Sequence, residues 1–439
     1  MTTTFCGLPM RWLTLTLAQA IFWQPLWAQA EMLVPNQPGT QVTQAANGVP
    51  VLDIATPDAH GLSHNRFDHY NVGPQGLVLN NASAPVVSQL AGAIAGNPHL
   101  AGGPAGVILN EVTAANPSQL SGYTEVAGPG ARVIVANPYG ITCDGCGFIN
   151  APRATLSTGR PMFGEDGQLE RFSVEGGHIL VGGQGLNASN VDRFELLTRA
   201  ATINAKLYAR DLKVVAGRND IDAQTLVPTP HAGAAEDAPR VAIDSSALGG
   251  MYANAIYLVG TEAGVGVHLA GDLIASSGDL HLSADGQLTL ARTAASGDLR
   301  VQGGDVVLSE AVHAGGNAHL KARGDLLNRG VLSAAGTLAL EAGGSLANAG
   351  TARAGQALSV SAAHLDNQGG VLESLGNVVD HCGQPRQPPW PGSRTRRWPE
   401  QLKAVSAWPG LSTTAAANWR SPAFALRCRP QACATMAVR

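Results

Sequence analysis

The hydrophobic and polar positions of this chain alternate in short runs that return at a fixed interval. Four segments with the same pattern, GDLHLSA, GDLRVQG, GNAHLKA and GTLALEA, begin at Gly278, Gly297, Gly316 and Gly336. A companion apolar position recurs every 19 or 20 residues, at Leu288, Val307, Leu326, Leu346 and Leu365. Alternation predicts strands with one buried face, and the Gly, Asn, Asp and Ser residues between the runs predict turns.

A unit of about twenty residues with two or three short strands can bury its inward face only by stacking on the next unit. The pattern therefore predicts an all-β fold, a parallel β-helix in which coil stacks on coil. A leucine-rich repeat would need a helix or an asparagine ladder in each unit, and the sequence suggests neither. Shorter alternating runs persist before residue 250, as in GVILNEV (106–112). About fifteen coils at roughly 4.8 Å each would make a rod some ~70 Å long.

Two segments interrupt the repetitive pattern. Residues 31–75 are less repetitive, and we expect them to cap the solenoid, because its first coil would otherwise expose unpaired strand edges. The segment VPTPHAGAAEDAPR, from Val227 to Arg240, has no alternation and is expected to be a mobile excursion loop.

The two ends of the chain differ from the middle. Residues 1–30 contain Arg11, an apolar run and the sequence AQA, which is typical of a cleaved secretory signal peptide. A membrane anchor is disfavoured because glutamines and a proline interrupt the run. Residues 380–439 bring in four tryptophans, three cysteines counted from Cys382, and many arginines and prolines. This tail is expected to be disordered or frameshifted, which leaves 31–270 and 271–379 as the folded parts.

Composition narrows the possible functions. The 439 residues carry a net charge of −4, so charge gives no reason to expect a nucleic-acid partner. Charged residues make up only 14% of the chain, and there are 53 glycines but few aromatic residues. This composition suits short strands and tight turns better than a helical or doubly wound enzyme.

Several motifs in a fixed order resemble a known family. They include GLSHNRFDHYNVGPQGLVLNN, GNPHLAGGPAGVILNEV, NPSQLSGYTEVAG and VIVANPYGITCDGCGFINAPRATLSTG. Over roughly residues 35–370 the chain is similar to the secretion domain of filamentous-haemagglutinin-type exoproteins of two-partner secretion systems. The resemblance implies a right-handed β-helix with an N-terminal cap. It also implies recognition in the periplasm by a dedicated outer-membrane transporter of a Gram-negative bacterium.

The resemblance also sets the expected function. The chain is expected to be a secreted or cell-surface adhesin-like exoprotein, in truncated form, with host-cell or glycan receptors as further partners. The alternative is the N-terminal secretion part of a haemolysin or contact-dependent toxin. An unfolded chain would cross the outer membrane extended and then fold coil by coil outside, so that folding free energy favours export.

Two short family motifs mark candidate transporter-recognition residues. In this chain they read Asn97, Pro98, His99, Leu100 and Asn137, Pro138, Tyr139, Gly140, Ile141. The family has asparagine at both third positions, where this chain has His99 and Tyr139. Asparagine tolerates a left-handed backbone far better than tyrosine, so a role that needs that conformation is not expected here.

Cys143 and Cys146 lie three residues apart in ITCDGCGFIN. A redox site would need a helix start after a βαβ unit, and a zinc site would need two more ligands. In an oxidising periplasm, a small local disulfide or a pair of packed thiols is the simpler expectation.

Other motifs carry weaker functional signals. The sequence Arg323-Gly324-Asp325 matches an integrin-binding motif, but Gly-Asp recurs at the same place in other repeats. His60, His64 and His69 lie close in sequence without a pattern that places them on one face. Acidic residues are scattered among the turns rather than clustered in a groove. We therefore expect no enzyme activity, no cofactor and no metal.

Overall fold

A computed structural model describes residues 32–231 and 238–376 in full, together with the backbone of two further strands at 378–382 and 425–426. The predicted signal peptide and most of the atypical tail lie outside these residues. Within them the chain forms 42 strands and no helix, so no helix could cross a membrane.

The strand bounds are as follows: β1 Leu33–Pro35, β2 Gln41–Gln44, β3 Pro50–Asp53, β4 Leu62–Tyr70, β5 Leu77–Asn80, β6 Val86–Ser88, β7 Gly92–Ile94, β8 Val107–Val112, β9 Ser118–Leu120, β10 Tyr123–Ala127, β11 Arg132–Ala136, β12 Ile141–Cys143, β13 Cys146–Ile149, β14 Arg153–Ser157, β15 Arg160–Phe163, β16 Leu169–Val174, β17 His178–Val181, β18 Leu186–Thr198, β19 Ala200–Ile203, β20 Lys206–Ala216, β21 Asn219–Asp222, β22 Pro228–Pro230, β23 Val241–Ser245, β24 Gly250–Ala253, β25 Ala255–Gly260, β26 Gly266–Leu269, β27 Asp272–Ala275, β28 Leu280–Ala284, β29 Leu288–Leu290, β30 Thr293–Ala295, β31 Leu299–Gly303, β32 Val306–Leu308, β33 Val312–Ala314, β34 Ala318–Ala322, β35 Leu326–Asn328, β36 Val331–Ala334, β37 Leu338–Asn348, β38 Thr351–Ala354, β39 Leu358–Asp366, β40 Val371–Ser374, β41 Val378–Cys382 and β42 Ala425–Leu426.

These strands build a parallel solenoid of about 12 turns with three faces, which confirms the predicted fold class. The first face contains β3, β5, β10, β13, the starts of β18 and β20, β24, β27, β30, β33, β36, β38 and β40. The second face contains β4, β8, β11, β14, the ends of β18 and β20, β25, β28, β31, β34, the starts of β37 and β39, and β41. The third face contains β9, β12, β17, β19, β23, β26, β29, β32, β35 and the ends of β37 and β39.

The number of turns is lower than the fifteen expected from a uniform twenty-residue period. The coils before residue 250 are longer, because the chain leaves the solenoid between β14 and β17 and again between β20 and β23. An average period taken from the regular repeats therefore overestimates how many coils the earlier residues form.

The core is a single apolar column that runs along the inside of the solenoid. On the second face it contains Leu280, Leu299, Ala318, Leu338 and Leu358, all buried, at matching positions of successive coils. Stacking identical positions in this way removes every inward side chain from water, which is what the alternation predicted.

One position of the predicted repeat is off by one residue. Leu288 pairs with Val306, and both are buried, whereas Val307 points outward beside Thr289. This unit is shorter than its neighbours, so a fixed step of 19 residues carried the assignment onto the wrong face. A shift of one residue along a strand always reverses the side on which the side chain lies.

Polar ladders stabilise the corners between the faces. Backbone N–H groups of the glycines that begin the repeats donate to the preceding glycine, as Gly297 does to Gly278 at 2.9 Å. On the third face Asn348 accepts from Asn328 at 2.7 Å and donates to Asn367 at 2.6 Å. A short asparagine ladder therefore exists, contrary to the expectation from sequence, although it belongs to a solenoid built of strands.

Antiparallel strands cap the N-terminal end. β1 pairs with β4, with Leu33 opposite Tyr70, and β2 forms a hairpin with β3. β3 and β4 then pair in parallel with β5 and β8 of the following coil. The cap thus lies where residues 31–75 were expected to form it, and it joins the first coil directly.

Two additions lie outside the solenoid. β6 and β7 form a hairpin, and β15, β16, β21 and β22 form a four-stranded antiparallel sheet, the outer sheet. The expected excursion loop from Val227 is partly wrong, because Pro228–Pro230 is the edge strand of this sheet; residues 232–237 lie outside the described part. The outer sheet covers the second face through a separate apolar cluster, formed by Leu62, Leu109, Ile134, Ala136, Leu169, Phe172, Val174, Leu197, Val215, Ile221, Ala223 and Leu226.

A buried charge cluster lies at the junction of the outer sheet and the solenoid. The fully buried carboxylate of Glu195 accepts hydrogen bonds from Thr155 at 2.6 Å, Arg153 at 2.5 Å and Arg132 at 3.2 Å. Both guanidinium groups also donate to the carbonyl of Ala223, just after β21. Burial lowers the pKa of Arg132 to about 10, against the opposing effect of Glu195. The cluster therefore ties three coils to the outer sheet.

Candidate functional site

Asn137 follows β11 and closes a tight turn. Its backbone carbonyl accepts from Gly140 N–H at 3.1 Å, and its side-chain oxygen accepts from Tyr139 N–H at 2.9 Å. The side-chain NH₂ donates to the Asn116 carbonyl and to the Ser118 hydroxyl, both at 2.9 Å. The asparagine thus makes the hydrogen bonds that close its own turn, and its side chain also binds the turn to the preceding coil.

Asn97 repeats this arrangement on the loop between β7 and β8. Its oxygen accepts from His99 N–H at 2.9 Å, and its carbonyl accepts from Leu100 N–H at 3.3 Å. Its NH₂ donates to the carbonyls of Ile54 and Asn80, at 2.9 and 3.0 Å. The two motifs are therefore the same local structure used twice.

The two turns fasten different parts of the solenoid. Asn97 bonds to residues of the first face, whereas Asn137 bonds to β9 and the residues before it on the third face. The two turns share no hydrogen-bond partner among the described residues, so each motif is held by its own set of contacts.

The third positions of the motifs do not use a left-handed backbone. Among the described residues other than glycine, only Asn150 and Leu226 have positive φ, and Gly140 supplies the positive φ of the second turn. His99 and Tyr139 therefore fit without strain, and the concern raised by the missing asparagines has no structural basis.

The motif residues differ sharply in exposure. Both asparagines are buried, and Leu100 and Ile141 enter the core. Pro98 is exposed, and Tyr139 exposes 40% of its surface. In the folded domain a partner could contact the proline or the tyrosine, but it could not reach the asparagine side chains.

Cys143 and Cys146 are joined by a disulfide at the corner between β12 and β13. Both residues are buried and belong to the main core, while Asp144 between them is exposed and accepts from Gln184 N–H at 2.8 Å. The pair therefore links two faces of one coil and has no sulfur open to an external redox partner.

The residues of the weaker motifs, the RGD sequence and the three N-terminal histidines, bind neighbouring residues of the domain. Arg323 pairs with Asp285 at 2.8 Å, and Asp325 accepts from Ser345 N–H at 2.7 Å, so this RGD sequence is part of the corner ladders. The three N-terminal histidines contact separate partners: His60 the Asp166 carbonyl, His64 Glu111, and His69 Asn116. In the part of the chain that the structure describes, no three His, Cys, Asp or Glu side chains could hold a metal ion.

Sequence reasoning missed the buried ion pairs. Glu195, in the run NVDRFELLT, occupies an outward position of β18 that would be exposed in an uncovered solenoid. Arg199 and Glu262 form a second buried pair at 2.9 Å across a corner. The only signal for Glu195 was the apolar outward residues around it, which show that this face is covered.

Comparison with known families agrees with this geometry. The model of the TPS secretion domain matches residues 30–290, and the model of the haemagglutinin repeat matches residues 294–350 and 333–384. The chain belongs to the TPS secretion-domain family. Membership implies secretion or exposure at the surface of a Gram-negative bacterium, and an outer-membrane transporter as the partner.

Curated relatives of this TPS-domain chain are much longer proteins. The tRNA nuclease CdiA of Escherichia coli (strain NC101) is 46% identical over 326 residues, which is 74% of this chain and 10% of the relative. The 16S rRNA endonuclease CdiA of Enterobacter cloacae subsp. cloacae is 47% identical over 296 residues, 67% of this chain and 9% of the relative. The chain therefore spans about a tenth of the length of these relatives.

A solved structure supports the same assignment. The filamentous hemagglutinin secretion domain is 31% identical, matches with a TM-score of 0.54, and covers 80% of this chain and all of its own.

Proposed function

We propose that residues 31–270 are the export domain of a longer exoprotein, recognised in the periplasm by a dedicated outer-membrane transporter. Residues 271–379 would then begin the rod that follows the domain to the cell surface. The observation that carries this proposal is the match of residues 30–290 to the TPS secretion-domain family. The proposal assigns no catalysis to this part of the chain.

Folding outside the cell supplies the direction of transport in this proposal. Each coil buries its apolar column against the coil before it, and parallel strands pair along the whole rod. A coil that forms outside cannot return through a pore without losing this burial, so each one opposes backsliding.

The proposed cargo is a contact-dependent toxin, which was the alternative expectation from sequence. The curated relatives named above are nucleases called CdiA that share this N-terminal part. An adhesin with a host-cell or glycan receptor is the second candidate. It is favoured by the haemagglutinin repeats from residue 294 and by the filamentous hemagglutinin likeness.

Deleting the adjacent transporter gene tests the export proposal. The expected result is that the chain disappears from the medium and the cell surface, and that transporter supplied from a plasmid restores it. An unrelated secreted protein should be unaffected. Export that continues at the normal level without the transporter would refute the proposal.

Whether the exported protein is a toxin or an adhesin is tested by reading the DNA beyond the codon for Asp380 in the other two frames. Repeats followed by a nuclease-type module support the toxin. Repeats that end without such a module support the adhesin.

A further inference from the structure

A cavity of about 420 Å³ lies on the outside of the first face, beside the hairpin of β6 and β7. The hairpin forms one wall, and β10 with the end of β13 forms the floor. The residue that follows β13 and a residue of β18 form the opposite wall. A concave site of this volume is in the range that holds a small ligand.

Glu125 lies at the floor of this cavity, and no positively charged side chain accompanies it. Only 4% of the residue is exposed. Its carboxylate accepts from the Ser88 hydroxyl at 2.7 Å and from the N–H groups of Gln89 and Leu90, both at 2.8 Å. These bonds use three of the roughly four acceptor positions of a carboxylate. Among the described residues, no Lys, Arg or His lines the cavity. A buried negative charge with neutral partners alone gains from a cation.

Two asparagines add acceptor oxygens to the cavity. The NH₂ of Asn150 donates to the carbonyls of Val126 and Gly128, at 2.8 and 2.9 Å. The NH₂ of Asn190 donates to the Phe148 carbonyl at 2.6 Å. Within the described part of the chain, nothing donates to the side-chain oxygen of either asparagine. Each amide directs its donor group to the backbone and keeps its oxygen for a ligand.

Aliphatic side chains complete the lining. Val86 and Val87 come from the hairpin, and Ile149 lies beside Glu125 on the next coil. Val87 exposes 78% of its surface at the rim. A ligand that fits this surface therefore has an apolar part next to its charged group.

We propose that this cavity binds a primary ammonium group carried on a short aliphatic chain. The ammonium contacts the Glu125 carboxylate and the asparagine oxygens, and the carbon chain lies along the valines. An ammonium has three donors and no acceptor, which matches a group of acceptors around one negative charge. The group can come from a free amine or from a lysine side chain of another protein. The proposal needs only the folded domain, so it stands apart from the export proposal.

Calorimetric titration of the secreted full-length chain at pH 7 tests the ligand class. The probes are n-hexylamine, 1-hexanol, which has the same chain without the charge, and Nα-acetyl-lysinamide. We expect hexylamine to bind at least about ten-fold more tightly than hexanol, because a charge-assisted hydrogen bond contributes that much. Tighter binding of the lysinamide identifies a lysine side chain as the source, and tighter binding of hexylamine identifies a free amine. Equal affinity for hexylamine and hexanol, or no binding of either ammonium compound, overturns the proposal.

Charge substitutions at the rim test the location. Val87→Lys places a competing ammonium beside the cavity and should weaken hexylamine binding several-fold, whereas Val87→Glu should strengthen it. Val331→Lys is the matched control, because Val331 is an exposed valine of the repeats and lies outside the cavity. All three variants should melt at the wild-type temperature, since the replaced side chains are exposed. If hexylamine binds both Val87 variants as it binds the wild-type chain, the amine site is elsewhere and the assignment to this cavity is wrong.

Discussion

Replacing Asn137 should cost this domain more stability than removing its disulfide. Asn137→Ala deletes the groups that serve three hydrogen bonds, to Asn116, Ser118 and Tyr139 N–H. Each bond is worth about 1 kcal/mol net, and buried partners left unpaired cost more, so we expect a loss of about 3 kcal/mol. Asn97→Ala should behave alike, because its geometry is the same.

The disulfide closes a loop of only a few residues, so removing it should cost less stability than replacing Asn137. Its two cysteines are three residues apart, for which the chain-entropy relation gives at most about 2 kcal/mol. Because both sulfurs lie in the core, Cys143→Ala with Cys146→Ala is the suitable variant. Serine would bury two hydroxyls and add a separate penalty. The wild-type chain reduced with dithiothreitol is the matched control.

Urea unfolding followed by circular dichroism measures both effects, and secretion titres measure their consequence for export. We expect the midpoint of Asn137→Ala to fall below that of the double cysteine variant, and its titre to fall with it. If the cysteine variant loses more stability or fails to export while Asn137→Ala exports normally, the turn asparagine is not the main structural element of this stretch.

Three further variants probe the rest of the solenoid. Glu195→Gln should lower the unfolding free energy by about 3 kcal/mol in urea melts, because two partly buried guanidinium groups lose their counter-charge. Gly330→Ala should lower the melting temperature by several degrees, since its Cβ would meet a backbone carbonyl, whereas Gly102→Ala, with open space, should not. Burial and then Arg300 lower the pKa of His281, so protonation favours the unfolded chain and stability should fall as pH drops below about 6.5. Urea midpoints at pH 7.5 and 5.5 should differ less in His281→Gln than in wild type.

The regular repeats were predictable because every unit buries its apolar residues at the same inward positions. Residues such as Leu280 and Leu299 alternate with polar neighbours, and no other segment among the described residues covers the outward side, so the sequence pattern and the buried set coincide. The pattern is obscured where the outward side is also covered. Ile134 and Leu197 face outward under the outer sheet, so β11 (RVIVA) has apolar residues on both sides and β18 has two adjacent leucines, Leu196 and Leu197.

The turn asparagines were found only through the family resemblance. A hydrogen bond from Asn137 to the carbonyl of Asn116 joins residues of two coils, and no local pattern reveals such a pairing. The buried carboxylate of Glu195 was missed for the same reason, since its partners come from two earlier coils. A contact between coils that occurs only once along the solenoid leaves no periodic signal in the sequence.

In the proposed export, the outer sheet limits the order in which this domain can fold. β15 and β16 emerge before the solenoid strands β17 to β20, but β21 and β22, which complete the sheet, emerge after them. Until β21 arrives, the cluster over Leu109 and Ile134 lacks Ile221, Ala223 and Leu226, and the arginines of the buried cluster lack the Ala223 carbonyl. Strict coil-by-coil folding therefore cannot finish between β8 and β22; this stretch has to become stable as one cooperative unit. The repeats beyond it have no such interleaving, since each of their coils completes its contacts with the coil before it. A stretch of about 120 residues that becomes stable in one step would release far more free energy at once than a single repeat, early in export, when little folded chain is outside to oppose backsliding.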